Sequence, residues 1–138
     1  MARVDPNSLA KCGSEHSHQT ALFAALAELA VTVPDARWVF AVPNGFYGTA
    51  GQKGKMKAEG LRVGVWDVII PFPRVGYLGH HYTGLMIEMK VDKNKLSKEQ
   101  VEFGTAMYNA GWDTCVAYNW QVAYTRIKGY LCLPTNSK

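Results

Sequence analysis

The segment Met86–Gln100, MIEMKVDKNKLSKEQ, places two charged residues inside an apolar run and a helix start directly after it. In an extended strand, residues two apart point to the same face, so Glu88 and Lys90 are expected to lie side by side, opposite Ile87 and Met89. Charges within an apolar strand are costly unless they are exposed, paired or bound to a metal. The pair alone therefore leaves two interpretations open: the exposed polar face of a half-buried strand, or a functional site.

A helix is predicted to follow this strand. Ser97 is a suitable N-cap and Gln100 stands at the third helical position, so the two side chains are expected to form a capping box. The helix should run to about Ala110 and stop at Gly111, a residue that tolerates the left-handed conformation common after helix ends.

The rest of the chain alternates predicted helices and strands. The most apolar run, VGVWDVIIPFP at 63–73, is predicted to be a central strand beside LMIEMK at 85–90. The expected fold class is α/β, a mixed central sheet of about four strands flanked by helices in the order α-β-β-β-α-β-α. The further predicted elements are a helix from Ser14 to Pro34, a strand at 37–42, a PNG turn at 43–45, a short helix before Gly60, a strand at 113–120 and a helix at 121–131.

Composition is typical of one globular domain. Of 138 residues, 48% are hydrophobic and 19% are charged, which excludes a disordered chain. No apolar run approaches the roughly 20 residues that cross a bilayer, and the N-terminus lacks the apolar stretch of a signal peptide. The three cysteines show no CxxC spacing, so reduced thiols and a cytoplasmic location are expected. The expected organisation is a flexible arm at 1–13, a single domain at 14–133 and a tail at 134–138.

Positive charge is concentrated in two stretches. Residues 51–62 and residues 90–98 each carry a net charge of +3, against +4 for the whole chain. Such stretches are often only solvated surface, but around an acidic cluster they are what a phosphate-binding surface needs. The basic residues concerned are Lys53, Lys55, Lys57 and Arg62 in the first stretch and Lys90, Lys93, Lys95 and Lys98 in the second.

Two further acids lie where they could meet Glu88. Glu15 and Gln19 begin the stripe that Leu22, Leu26 and Leu29 continue along the first helix, although an acid in a first turn is also favoured by the helix dipole alone. Asp67 interrupts the apolar run of the predicted central strand, and a buried carboxylate there requires a partner.

Two partners are possible for Asp67. One is a divalent cation shared with Glu88, since Mg²⁺ is bound by one or two carboxylates together with waters and substrate phosphate. Lys90 would then assist the attacking water or the charge that builds on the phosphate. The other is a salt bridge between Asp67 and Lys90 without a metal. The four histidines offer no recognisable zinc ligand set.

Five signals occur in a fixed order: an acid opening the first helix in SEHSHQ, then PNG, KAEGLRVGVWD, IEMK, and LSKEQ followed by AGW. This series resembles the VRR-NUC family, a branch of the PD-(D/E)xK nuclease superfamily, over roughly residues 14–130. The resemblance implies a restriction-endonuclease-like fold and a stand-alone nuclease domain of the kind found in phages, where it would act in the host cell cytoplasm.

The resemblance also implies roles for individual residues. Glu15 matches the acid of the first helix, Asp67 the metal-binding aspartate, Glu88 and Lys90 the ExK pair, and Gln100 the glutamine of the following helix; these five are the predicted catalytic residues. Glu15, Asp67 and Glu88, with the backbone carbonyl of Met89, would hold the metal, and Gln19 matches a second polar position in the first helix.

One position departs from the family pattern. Trp66 stands where the family usually has a proline before the aspartate. Because proline is not a ligand, activity need not be lost, but the packing beside Asp67 must differ.

The function implied is a Mg²⁺- or Mn²⁺-dependent DNA endonuclease, structure-selective for Holliday or other branched junctions and acting as a homodimer. Two alternatives stay open, a nuclease for flaps, ends or single strands and a catalytically silent nucleic-acid-binding module of the same fold. Gln19 and the basic residues at 53–62 and 93–98 are the predicted contacts to DNA.

Overall fold

Short strands and longer helices alternate through residues 4–43 and 48–135, the part of the chain that the computed structural model describes. The helices are α1 (Pro6–Leu9), α2 (Glu15–Leu29), α3 (Ala50–Ala58), α4 (Lys98–Asn109) and α5 (Trp120–Leu131), with a 3-10 helix at Pro34–Trp38. The strands are β1 (Phe40–Ala41), β2 (Val68–Ile70), β3 (Arg74–Val75), β4 (His81–Tyr82), β5 (Leu85–Met89) and β6 (Asp113–Ala117).

Four of the strands form one mixed sheet in the order β1-β2-β5-β6. The first two pairings are antiparallel, and β5 pairs with β6 in parallel through the crossover that contains α4. The prediction of a mixed sheet of about four strands with flanking helices is confirmed. Strands β3 and β4 form a separate hairpin in the connection from β2 to β5, where two-residue strands leave no periodic signal.

Helices cover both faces of the sheet. On one face the predicted leucine stripe of α2 is buried together with residues of β2, β5 and α5. On the other face Trp66, Ile69 and Met86 form a smaller cluster against Phe103 and Met107 of α4. Consecutive residues of β5 therefore pack on opposite faces of the sheet, and because helices cover both faces, the whole strand is buried.

Several elements are shorter than predicted. The run at 63–73 is a strand only over Val68–Ile70, with Pro71 and Pro73, which lack backbone N–H donors, directly after it. The strand predicted at 113–120 ends at Ala117, because Asn119 caps α5 through its side chain. The first helix ends at Leu29, and the segment up to Pro34 forms turns. The PNG turn falls mostly on residues 44–47, which lie outside the described residues.

The predicted helix starts are present. Ser14 caps α2 by accepting a hydrogen bond from Ser17 N. Ser97 and Gln100 form both hydrogen bonds of the capping box at α4, and Gly111 after this helix has a φ of +97°. In the stretch expected to form an arm, Pro6–Leu9 make one helical turn that contacts α2.

No helix in the described parts of the chain is both long enough and apolar enough to cross a membrane.

Truncating a core residue of α5 tests this layering. Ile127 is fully buried, so Ile127→Ala is expected to lower the free energy of unfolding by about 2–5 kcal/mol through lost burial and a cavity. Val122 on the same helix is 46% exposed, and Val122→Ala should change it by no more than about 0.5 kcal/mol. Urea denaturation of both variants measures the difference; equal losses would contradict the placement of α5.

Candidate active site

An open cleft of about 880 Å³ lies where α2, β1, β2, β5 and α4 meet. The first turns of α2 and α4 supply two walls, and the ends of the strands supply the floor. The cleft contains all five predicted catalytic residues together with Gln19. Its lining residues are Glu15, His16, Gln19, Ala41, Val42, Pro43, Asp67, Glu88, Lys90 and Gln100.

Glu88 is the most buried polar group of the cleft, with a side chain only 3% exposed. Its Oε1 accepts a hydrogen bond of 2.6 Å from the Gln100 side-chain amide and lies 3.7 Å from Lys90 Nζ. Glu88 and Lys90 therefore lie side by side, as expected from their spacing in the strand. Within residues 4–43 and 48–135, Glu88 Oε2 has no hydrogen-bond partner although it is buried.

Asp67 lies directly before β2 and is held from two sides. Its Oδ2 accepts a hydrogen bond of 2.9 Å from Met89 N, and its backbone carbonyl accepts one of 2.7 Å from Val42 N. The first contact ties the carboxylate to the end of β5, beside Glu88. Asp67, predicted to lie within the central strand, thus lies directly before its first residue, and its carboxylate lies at the floor of the cleft.

The two carboxylates perturb one another. Burial, with a further contribution from the Asp67 carboxylate, raises the pKa of Glu88 to about 8, and the neighbouring Lys90 ammonium partly opposes this rise. Glu15 adds a smaller repulsion from the wall of the cleft. The positive charge that the protein places near Glu88 is therefore too small to offset the desolvation of its carboxylate and the repulsion from Asp67.

Gln100 has two roles in the structure. Its Oε1 accepts from Ser97 N at 2.9 Å, which closes the capping box, while its Nε2 donates to Glu88. The side chain therefore caps the helix, as predicted, and also contacts Glu88 in the cleft. One side chain connects the start of α4 to the end of β5.

Glu15 and Gln19 lie one turn apart on the α2 wall. Among the described residues, no group of three or more His, Cys, Asp or Glu side chains lies close enough together to hold a metal ion. Asp67 and Glu88 form the interacting carboxylate pair, with Glu15 further away. The ligand set of Glu15, Asp67, Glu88 and the Met89 carbonyl stays a prediction.

The two basic stretches lie at the surface. Lys53, Lys55 and Lys57 are exposed on α3, a helix without a buried residue, and Lys93, Lys95, Lys98 and Arg62 are exposed as well. Of the described lysines and arginines, only Lys90 lines the cleft. The structure therefore presents these residues to solvent, as a surface for a large polyanion requires, and leaves Lys90 alone beside the carboxylates.

Sequence reasoning missed several residues that line the cleft or support the packing around it. His16, to which no sequence pattern assigned a role, lines the cleft beside Glu15, and its position directly after a predicted site residue was the available signal. His18 Nδ1 accepts a hydrogen bond from Trp120 N at 3.1 Å, so this histidine supports the packing of α5 on α2. Residues 41–43 also line the cleft; the sequence marks Pro43 as the start of the PNG signal, but no pattern assigned this segment to the site.

The comparisons with known proteins support the fold. No family model matches the sequence, and no curated protein matches it. Among solved structures, the chain is similar to a VRR_NUC domain protein with a TM-score of 0.66 and 21% sequence identity, over 88% of this chain and 91% of that one. At this identity the likeness shows the fold alone, and the restriction-endonuclease-like fold implied by the sequence motifs is confirmed.

The raised pKa of Glu88 predicts how stability depends on pH in metal-free protein. The folded state keeps a proton on Glu88 that the unfolded chain releases near the ordinary pKa of 4.5, so the stabilisation is complete below 4.5 and is lost as pH rises through about 8. The free energy of unfolding in EDTA should fall by several kcal/mol, up to about 5, between these limits, because each pKa unit corresponds to about 1.4 kcal/mol.

Urea denaturation at several pH values and constant ionic strength measures this loss. Glu88→Gln, which cannot titrate, should flatten the dependence over the same interval. An unchanged dependence in this variant would show that another group is responsible.

Proposed function

We propose that this chain is a VRR-NUC-type nuclease that hydrolyses phosphodiester bonds in DNA with the aid of Mg²⁺ or Mn²⁺. The observation that carries the proposal is the buried Glu88 carboxylate, which faces Asp67 and Lys90 in an open cleft. A fold gains no stability from placing two acids together in a desolvated position. Such an arrangement is typical of a site that binds a cation and an anionic substrate.

The residues present fit a divalent cation. Asp67 and Glu88 supply oxygen ligands, Glu88 Oε2 has its bonding capacity unused in the described structure, and their mutual repulsion would be relieved by added positive charge. Mg²⁺ needs only one or two carboxylates when waters and substrate phosphate complete its octahedron. Glu15 and the Met89 carbonyl are the further ligands that the family resemblance implies. When bound, the ion would supply Lewis-acid activation of the scissile phosphate.

Lys90 would stabilise the negative charge that develops in the proposed reaction. Its side chain is only 12% exposed and lies beside Glu88, so its ammonium group acts in a medium where screening by water is weak. A cation placed there stabilises negative charge that builds on the phosphate oxygens in the transition state. Contact with Glu88 also keeps the ammonium group at the floor of the cleft while no substrate is bound.

Gln100 would orient the Glu88 carboxylate, and Gln19 would orient the substrate. The Gln100 amide fixes Glu88 Oε1 and leaves Oε2 available, so the carboxylate is held in one orientation before anything binds. Gln19 lines the α2 wall as an uncharged donor and acceptor suited to a phosphate or sugar oxygen.

DNA binding is assigned to the exposed lysines of α3 and of residues 93–98, with Arg62. Side chains of this kind neutralise backbone phosphates without reading bases, so the affinity should be strong at low salt and independent of sequence. The proposed substrate is branched DNA, including four-way junctions. The proposed active form is a homodimer, because two symmetric cuts require two sites related by a two-fold axis.

Removal of the Lys90 ammonium group tests the reaction. Lys90→Ala is expected to lower the rate of metal-dependent cleavage by about 100-fold or more, because a desolvated charge at the reacting phosphate is lost. The assay uses an end-labelled four-way junction and its matching linear duplex, with Mg²⁺, Mn²⁺ or EDTA. Lys128→Ala, an exposed lysine outside both basic stretches, is the matched control.

The outcome also separates the alternative functions. Cleavage of flaps, ends or single strands in preference to the junction would identify the alternative substrate class. Binding without cleavage of any substrate, in either metal, would identify a silent binding module and contradict the proposed reaction.

Neutralisation of the α3 lysines tests the binding surface. Substitution of Lys53, Lys55 and Lys57 by Gln should weaken DNA binding and reduce the slope of log affinity against log salt by up to about 2–3 units, since about one counterion is released per phosphate contact. Fluorescence anisotropy with a labelled junction at several salt concentrations measures both effects.

The control has the same change in net charge. Three exposed residues outside the two stretches, Lys11, Arg37 and Lys128, are replaced by Gln in the control. This variant should leave the slope of log affinity against log salt nearly unchanged. Equal slopes in the two triple variants would show that α3 does not contact the DNA.

A further inference from the structure

Trp66 occupies the position directly before Asp67, where the family pattern has a proline. Its side chain is 4% exposed and packs with Ile69 and Met86 under α4. A proline restricts its own backbone at such a position. This chain instead places there a large side chain with one hydrogen-bond donor.

The indole is bonded to the backbone of α4. Trp66 Nε1 donates a hydrogen bond of 2.8 Å to the main-chain carbonyl of Gln100. In an α-helix the same carbonyl accepts from the N–H four residues later, which here belongs to Gly104. The indole therefore meets the helix across its first turns, at the residue whose side chain reaches Glu88.

Gly104 makes this approach possible. Within Lys98–Asn109 it is the one residue that is buried. A Cβ at Gly104 would overlap Cζ2 of Trp66, closer than real Cβ atoms come, and would also lie tightly against Cε2, at 3.0 Å. The missing side chain thus lets the ring lie against the helix backbone, which explains a glycine in a helix interior where it costs about 1 kcal/mol relative to alanine.

We propose that Trp66 and Gly104 are positioning residues that lock the first turn of α4, so that the Gln100 amide stays on Glu88. The connection runs from the indole to the Gln100 carbonyl and from the Gln100 amide to Glu88 Oε1, two hydrogen bonds of 2.8 and 2.6 Å through one residue. Because Trp66 also precedes Asp67 in the chain, the same side chain ties α4 to the second carboxylate. The catalytic consequence rests on the proposed nuclease function, whereas the positioning itself does not.

The first experiment measures the position of Gln100 without using activity. In Trp66→Phe, which keeps most of the ring but removes the donor, the side-chain amide protons of Gln100 should shift in an NMR spectrum and exchange with solvent about tenfold faster. The matched control is Trp112→Phe, a tryptophan of the same packed cluster. A Gln100 amide signal that is unchanged in Trp66→Phe would overturn the proposal.

The second experiment measures catalysis. In the cleavage assay, Trp66→Phe should lower kcat about tenfold with KM unchanged, since the lysines that hold DNA are not altered. A purely structural role for the indole would lower thermal stability and leave kcat unchanged at temperatures where the variant is folded, and this result would also overturn the proposal. If wild-type protein cuts no DNA, the proposed function fails, and the amide exchange of Gln100 still decides the positioning role.

Gly104→Ala provides an independent variant. With Trp66 present, the added methyl group must displace the indole, so Gln100 exchange should accelerate and kcat should fall as in Trp66→Phe. In a Trp66→Leu background the space is free, and Gly104→Ala should have no further effect on either quantity. Equal effects of Gly104→Ala in both backgrounds would show that the glycine does not act through Trp66.

Discussion

The desolvated carboxylate of Glu88 is the constraint on which the arrangement of this protein depends. It lies in the middle of the fold, at the end of a buried strand, next to a second carboxylate. The surrounding elements compensate it only in part: Lys90 lies directly after β5, and α4 supplies the Gln100 amide. The structure around Glu88 is therefore organised to hold a carboxylate whose burial costs free energy.

The two faces of the sheet have different roles. The face covered by α2 and α5 contains the larger apolar cluster, which supplies most of the burial that stabilises the fold. The face covered by α4 contains a smaller cluster and includes the residues that orient the site. The stability of the fold and the orientation of the site residues thus come from opposite faces of the sheet. Strands β2 and β5 contribute side chains to both faces.

The parts of the fold that were predictable are those with a local signal. The leucine stripe of α2, the Ser97–Gln100 capping box and the same-face relation of Glu88 and Lys90 each follow from residue spacing, and the structure confirms them. Strand ends were not predictable, because proline, side-chain capping and the two-residue hairpin depend on contacts outside the apolar pattern. The bond from Trp66 to Gln100 spans 34 residues, and no sequence period reports such a contact.

The capping box of α4 has a further consequence. The side chain that closes the helix end is also the one that holds the acid, so the first turn of α4 cannot fray without releasing Glu88. Helix ends open locally far more often than whole domains unfold. The lifetime of the assembled site is therefore expected to depend on how often this one helical turn opens, which the bond from Trp66 opposes. On warming, the site should come apart well before the sheet melts, and it should reassemble as soon as that turn closes.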